Sequence, residues 1–203
     1  MSISNGYLTL ALFKTAVGVT DTTHNDDLER AIEAASRSVD RYCRRRFWQD
    51  GTVVARVYTT EDPQWVWTDD ISTSTGLVVK TDDNWDGTYE NTWTLDDYPG
   101  NYGFTLEPSN ASDDSKPWTS LAALSSAFPT LRYAVQVTAK FGWAAVPTEV
   151  AQATLIIANR LYRRKDSPFG IQQAPDMGDS LFIRKHDPDA ALLLEPFVKV
   201  VGP

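Results

Sequence analysis

The hydrophobic period of this chain changes twice, and that change limits the folds available to it. Apolar residues recur at helical spacing in NDDLERAIEAASRSVDRYCRRRF and again in VPTEVAQATLIIANRLYRRK. Between these segments lie short β-branched and aromatic runs such as TVVARVYTT, TGLVVKT and ENTWTL, separated by turn residues. This order predicts an α+β fold: a small helical bundle of about four helices, with an antiparallel β-subdomain inserted between helices two and three.

Charge follows the same division. Residues 51–130 carry thirteen acidic and three basic side chains, whereas the rest of the chain is nearly neutral. We therefore expect 1–50 and 131–203 to form a helical body with the final strand and a C-terminal tail. We expect 51–130 to form an inserted, acidic, tryptophan-rich β-subdomain. A net charge of −8 argues against a dedicated nucleic-acid binder, which usually shows a basic footprint.

Several helix ends can be predicted from capping residues. Thr9 suits the start of a first helix, and Gly18 suits its left-handed stop. The second helix is predicted to hold Arg44, Arg45 and Arg46 in its last turn. The third is predicted from Pro147 to about Lys165, and a last one begins at Asp187-Pro188.

The clearest strand is LRYAVQVTAKFGW, which alternates strictly. Its pattern predicts one face shared by five residues: Tyr133, Val135, Val137, Ala139 and Phe141.

The residue inventory offers little for catalysis. His24 and His186 are predicted to be solvated loop residues without zinc-ligand spacing. The single cysteine, Cys43, fits a reducing compartment and a place in a helical core better than a reactive thiol. No nucleophile elbow, phosphate-binding loop or dinucleotide fingerprint occurs. We therefore predict a protein that is not an enzyme, with no catalytic residues, no metal and no cofactor.

Export and membrane insertion are not expected. The apolar runs are too short to span a bilayer, and MSISNGYLTLALF lacks a basic leader with a cleavage site.

The acidic middle leaves one alternative function open, a carbohydrate-binding module or a glycan hydrolase. Paired carboxylates can serve as acid and base, and aromatic rings can bind sugars. Adjacent aspartates are also usual in turns, and tryptophans are usual in sheet cores. The residues concerned are Asp69-Asp70, Asp82-Asp83, Asp96-Asp97 and Asp113-Asp114, with Trp65, Trp67, Trp85, Trp93 and Trp118.

The segment TDDNWDGTYE has a second possible interpretation. Asp82, Asn84 and Asp86 alternate as in calcium loops, but Glu90 comes too early for the terminal bidentate ligand. A hairpin turn is the favoured prediction.

The predicted third helix ends in the basic stretch RRKDSPFG. Arg160, Arg163, Arg164 and Lys165 complement the negative end of the helix dipole, which is one explanation for them. The other is contact with an acidic surface of a partner.

Taken together, YLTL…FK…VG, DDLERAIEAASRSVDRYCRRRF, VPTEVAQATLIIANRLYRRKDSPFG and IRKHDPDAALLLEPF resemble the head-to-tail connector proteins of long-tailed phages, also called adaptor or head-completion proteins. The resemblance covers Asn5 to Phe47 and Phe141 to Phe197. It implies a structural virion protein in the neck, made in the bacterial host cytoplasm. It also implies a homo-oligomeric ring, generally dodecameric, beneath the portal protein. Such a ring extends the DNA channel, passes viral DNA without reading its sequence, and joins a head-closure or other tail-side connector.

The resemblance also implies where subunit or portal contacts lie. In the family the C-terminal segment commonly docks into the portal, and here that tail is unusually apolar. Packing of Leu192 to Leu194 back onto helix three is the alternative. The candidate contact residues are Arg160, Arg163, Arg164, Lys165, Asp166, Ser167, Pro168, Phe169, Gly170, Leu192, Leu193, Leu194, Phe197, Val198 and Val200.

Overall fold

The computed structural model of the protein describes residues 3–164 and 187–199, together with the backbone of two short paired strands. The chain divides into two compact units. The helical unit comprises Met1–Arg46 and Val146–Val200, and the sheet unit comprises Phe47–Ala145 and Val201–Pro203.

Within the described residues the helical unit contains four α-helices and one 3-10 turn. They are α1, Leu10–Val17; α2, Asn25–Cys43; α3, Thr148–Arg164; α4, Pro188–Leu194; and the 3-10 turn Glu195–Phe197.

Two helix starts and one stop form as the sequence predicts. The Thr9 hydroxyl accepts the backbone N–H of Leu12 at 3.3 Å, and α1 stops where Gly18 adopts a φ of 74°. The carboxylate of Asp187 accepts the N–H of Ala190, with Pro188 in the first turn of α4. These caps satisfy backbone groups that a helix leaves unpaired at its ends.

The predicted end of α2 is wrong by three residues. Arg44 adopts a left-handed φ of 55°, so the helix stops at Cys43 and the three arginines follow it. The buried face of α2 is continuous, and Leu28, Ile32 and Val39 have no exposed surface. Burial of this stripe holds α2 in the helical unit.

The sheet unit contains six strands, which pair in the order β1-β6-β2-β3-β4-β5. They are β1, Val54–Tyr58; β2, Trp65–Thr81; β3, Asn91–Leu95; β4, Gly103–Glu107; β5, Trp118–Ala123; and β6, Val135–Phe141. The two short strands beyond α3 are β7, Ile171–Gln172, and β8, Leu181–Phe182.

One long strand closes part of this sheet into a barrel. The first part of β2 pairs with β5, and its last residues pair with β3. Register irregularities along β2 lie between Trp67 and Ile71 and between Thr73 and Val78, which lets a 17-residue strand change direction. Strands β2, β3, β4 and β5 therefore form a closed ring of four.

The predicted fold class, a helical bundle with an inserted antiparallel β-subdomain, is consequently wrong. The chain is α+β, but its described residues form a six-stranded sheet with a closed four-stranded barrel, accompanied by four α-helices, not a helical bundle carrying a β-insert. Nor is the sheet wholly antiparallel, since β3 and β4 run parallel. Hydrophobic alternation identifies strands but carries no information about closure, because closure depends on pairing between distant segments.

The connection between β3 and β4 is short for a parallel pair. The chain turns at Asp96, which has a φ of 56°, and returns so that Thr94 donates its N–H to the carbonyl of Tyr102 at 2.7 Å. A Cβ at Gly103 would collide with the carbonyl of Asp97, so this close approach requires glycine.

The core of the sheet unit is aromatic and aliphatic. Trp93 is 4% exposed, stacks on Phe128 with ring centroids 4.1 Å apart, and donates its indole N–H to the Thr81 hydroxyl at 3.1 Å. The rest of this core consists of Val66, Ile71, Val79, Phe104, Leu106, Leu121, Val135, Val137, Ala139 and Phe141.

Strand β6 confirms most of its predicted face. Val135, Val137 and Phe141 are buried, as alternation predicts. Tyr133 is the exception: it lies before the strand with a φ of 58° and is 63% exposed. Within the described ranges no helix combines the length and hydropathy needed to cross a membrane.

Candidate contact surfaces

A groove lies between α2, α3 and α4 in the helical unit, with a volume of about 230 Å³. We call it the arginine groove because Arg41, Arg160 and Arg164 line it. Asp187 is its acidic lining residue, so the ionisable lining sums to +2.

The charge of the groove opposes the helix dipoles around it. Arg41 lies in the last turn of α2, and Arg164 ends α3. Each helix C-terminus is equivalent to about −0.5 of an elementary charge, so two ends offset about one unit of the side-chain charge. The groove keeps a net positive charge and suits an anionic partner.

The walls of the groove are partly apolar. Ile157 and Leu161 come from α3, and Ala190 and Leu194 come from α4. Leu161 is 36% exposed, so this wall is accessible from solvent. Apolar walls together with arginine side chains can bind a ring and a carboxylate at the same time.

Sequence reasoning missed the contribution of α2 to this groove. Ala34 and Ser38 lie four residues apart, and Arg41 and Tyr42 follow on the same side of the helix. The small side chains of Ala34 and Ser38 leave this space open. Two small residues at helical spacing beside an arginine were the available signal.

A second notable surface is the hairpin that joins β2 to β3. We call residues 82–90 the Trp85 loop. The carboxylate of Asp82 is buried and accepts three backbone N–H groups: Trp85 at 2.6 Å, Asp86 at 3.3 Å and Gly87 at 2.8 Å. Antiparallel pairing of Thr81 with Asn91 confirms the predicted hairpin turn.

The loop holds Trp85 in an unusual conformation. Its φ is 61°, which costs a bulky residue about 1–2 kcal/mol, and its side chain is 66% exposed. The bonds to Asp82 over-determine this backbone. The loop therefore presents an indole ring to solvent on a fixed support.

Two exposed carboxylates, Asp83 and Asp86, lie close to Trp85 in the sequence of the loop. Asp83 accepts a hydrogen bond from the Asn91 side chain at 2.6 Å, and Asp86 accepts the N–H of Thr88 at 2.8 Å. The bond from Thr88 lowers the pKa of Asp86 below its usual value, so this carboxyl is ionised at neutral pH.

Oxygens of Asp82, Asp86 and Glu90 lie within 4.8 Å of one another. The Asp82 oxygens already accept hydrogen bonds from three backbone N–H groups of the loop. The role of this carboxylate in closing the hairpin is therefore enough to explain its position.

No protein-family model and no curated protein matches the sequence of this chain. Solved structures match it over its full length. The neck of an empty gene transfer agent particle, computed with C6 symmetry, matches at a TM-score of 0.55 and 16% identity, covering 100% of this chain and 96% of that one. The neck of the native particle, computed with C12 symmetry, matches at 0.54 and 17% with the same coverage. The chain has the fold of a particle-neck protein.

A third match is the virion of the native gene transfer agent, with a TM-score of 0.52 and 19% identity. At these identities the likeness concerns the fold. At that level it confirms the resemblance to head-to-tail connector proteins predicted from the sequence.

Within this neck-protein fold the predicted basic contact residues do not all lie on one surface. Arg160 and Arg164 line the arginine groove. Arg163 is exposed outside it, and its guanidinium donates to the Asn159 side chain at 3.0 Å. Lys165, Asp166, Ser167, Pro168, Phe169 and Gly170 lie outside the described residues.

The predicted apolar contact residues differ in how exposed they are. Leu194 is 2% exposed within the helical unit, whereas Leu192 is 70% exposed and Leu193 is half-buried. Phe197 and Val198 are half-buried, and Val200 lies outside the described residues. The N–H of Lys199 bonds to the carbonyl of Cys43 at 2.8 Å, which fixes this part of the tail to the end of α2.

One of the carboxylate pairs considered for sugar chemistry, Asp69-Asp70, has structural contacts. Asp69 binds the Arg56 guanidinium at 2.6 Å and the Tyr58 hydroxyl at 3.1 Å. Asp70 is buried and accepts the indole N–H of Trp143 at 3.0 Å. These contacts hold strands together.

The tryptophans of the same region are not gathered on one face. Trp93 lies in the barrel core, Trp65 stacks on Trp67 with centroids 6.3 Å apart, and Trp85 stands on its own loop. Of these, Trp67 and Trp85 are the large exposed rings.

The remaining candidates for chemistry are accounted for where the structure describes them. Cys43 is buried, as predicted, and burial raises the pKa of its thiol to about 12. His24 is exposed at the N-terminus of α2, and His186 lies outside the described residues.

Proposed function

We propose that this protein is a head-to-tail adaptor, a structural subunit of a ring in the neck of a tailed-phage-like particle. The ring sits beneath the portal, extends the DNA channel, and joins the capsid to the next connector or tail component. The observation that carries this proposal is the likeness to neck proteins over 100% of this chain. C12 symmetry in one of those necks supports a ring of twelve.

The charge of the sheet unit suits a protein beside a DNA conduit. That unit carries fourteen acidic and five basic side chains, a net charge of −9. An acidic surface repels the phosphate backbone, so DNA passes without non-specific adhesion. No sequence-reading role is proposed.

Subunit and portal contacts are assigned to the end of α3 and to the tail. Arg160, Arg163 and Arg164 supply positive charge there, and Leu192 supplies exposed apolar surface. The proposed contact set is completed, as the family resemblance implies, by Lys165 to Gly170, Leu193, Leu194, Phe197, Val198 and Val200.

Gel filtration with light scattering tests the proposal, first on the protein alone and then with the portal protein of the same genome. A ring of twelve has a mass of about 270 kDa, twelve times the 22.6 kDa chain. Negative-stain images of that peak should show a ring, or a ring attached to the portal. A monomer that ignores the portal would refute the adaptor role.

A further inference from the structure

We propose that the Trp85 loop of one subunit docks into the arginine groove of a second copy of this chain. The inference rests on the proposed ring, and it names the two surfaces that meet in it. The partner copy completes the groove with an indole ring and two carboxylates.

The loop has the properties of a rigid interface anchor. Asp82 fixes its backbone through three hydrogen bonds, and Trp85 projects from it with two-thirds of its surface exposed. A bulky residue at positive φ, held by the surrounding structure, points to a functional reason for that conformation. Tryptophans on fixed backbones are frequent centres of binding energy.

The groove provides a complementary environment for that anchor. Its volume of about 230 Å³ exceeds the roughly 150 Å³ that suffices for a benzene ring in a protein cavity, so an indole can enter. Ile157 and Leu161 offer an apolar wall to the ring. An arginine over an indole face adds a cation–π interaction, for which tryptophan is the best partner.

Charge favours the same pairing. Asp83 and Asp86 are exposed and lie within two residues of Trp85, and arginines from two helices line the groove. Carboxylate–guanidinium pairs form two parallel hydrogen bonds when their planes align.

A second copy is the occupant that the charge distribution favours. The sheet unit has a net charge of −9, and the helical unit has fourteen basic and thirteen acidic side chains. Each subunit therefore carries both halves of the contact. In a closed ring such a head-to-tail contact is satisfied at every interface.

A charge exchange within one chain tests this pairing. The loop variant Asp83→Arg/Asp86→Arg and the groove variant Arg160→Asp/Arg164→Asp should each raise the concentration for half-assembly by about 30-fold or more. The four changes combined should restore assembly, because every interface then pairs arginine loops with acidic grooves. Trp85→Ala should weaken assembly by a similar factor.

Two matched controls separate this contact from general charge effects. Arg30→Asp changes an exposed arginine of α2 outside the groove, and Asp114→Arg changes an exposed acid of the sheet unit outside the loop. Both should assemble as the unmodified protein does. Circular dichroism and melting temperature establish that every variant is folded.

The outcomes distinguish this inference from the function on which it rests. If the unmodified protein forms a ring, alone or with its portal, and the loop and groove variants do so equally well, the contact is refuted and the adaptor role stands. If both variants fail but the combination does not recover, the groove binds a different partner and the inference is refuted. If the unmodified protein forms no ring under either condition, the proposed function itself fails. A disulfide between Trp85→Cys and Leu161→Cys should join two chains, whereas a bond confined to one chain would contradict docking between copies.

Discussion

Replacement of Asp82 by alanine should destabilise the protein and release the Trp85 loop. The Asp82 carboxylate accepts N–H groups from Trp85, Asp86 and Gly87, with the Asp86 bond the longest at 3.3 Å. A hydrogen bond to a charged group contributes about 1.5–3 kcal/mol, but these donors belong to exposed residues and regain water when the carboxylate is lost. We therefore expect a loss of about 3 kcal/mol in the free energy of unfolding, not the full sum.

Asp82→Asn should fall between alanine and the unmodified protein. An amide keeps one acceptor oxygen, which can serve either Trp85 and Asp86 or Gly87, while its NH₂ faces the remaining donor. We expect about half the loss of the alanine variant. Asp83→Ala is the control in the same loop, because it removes an exposed carboxylate that accepts a hydrogen bond from the Asn91 side chain and does not hold the loop backbone; its effect should stay within about 0.5 kcal/mol.

Urea unfolding at fixed ionic strength measures these differences, and an unchanged m-value would show that the unfolding transition is comparable. Hydrogen exchange at the amides of Trp85 and Gly87 reports on the loop directly. If Asp82→Ala lost less than about 1 kcal/mol with both amides still protected, the carboxylate would not be what holds the loop.

Further results are expected for three residues, Trp93, Gly103 and Cys43. Trp93→Ala should lower the free energy of unfolding by about 4 kcal/mol in urea titration, because it removes a buried ring that stacks on Phe128; a loss below about 2 kcal/mol would contradict its place in the core. Gly103→Ala should lower both the melting temperature and the strand content measured by circular dichroism, because the added Cβ would collide with the Asp97 carbonyl. An unchanged melting curve would show that the connection between β3 and β4 can move to make room. The Cys43 thiol, with its pKa raised by burial to about 12, should resist a disulfide reagent at pH 8 until the protein unfolds. Its contribution to stability is present below the ordinary value of 9.0 and is lost as pH rises towards about 12, so alkaline destabilisation should be smaller in Cys43→Ala.

The helix ends show how far local reasoning reaches. Thr9, Gly18 and Asp187 were predictable because a cap depends on groups a few residues away. Arg44 was not, since a non-glycine residue in the left-handed region has no strong sequence signal. Three consecutive arginines are equally consistent with the last turn of a helix and with the segment that follows the helix.

The sheet shows where local reasoning stops. Alternation placed β6 correctly from Val135 to Phe141, but it also included Tyr133, which the structure places outside the strand. Strand β5, Trp118–Ala123, went unpredicted because WTSLAA is short and rich in small residues.

By itself the sequence determined the helices, most of the strands, the Asp86-Gly87 turn and the concentration of acid in the middle of the chain. These depend on side-chain period, on capping and on counting, all of which act within a few residues. Only the tertiary structure decided that β2 closes a barrel by pairing with β3 and β5, and that Arg41 meets Arg160 and Arg164 across one groove. Pairings over such separations depend on loop closure and on the combined packing of many side chains, and no local pattern specifies them.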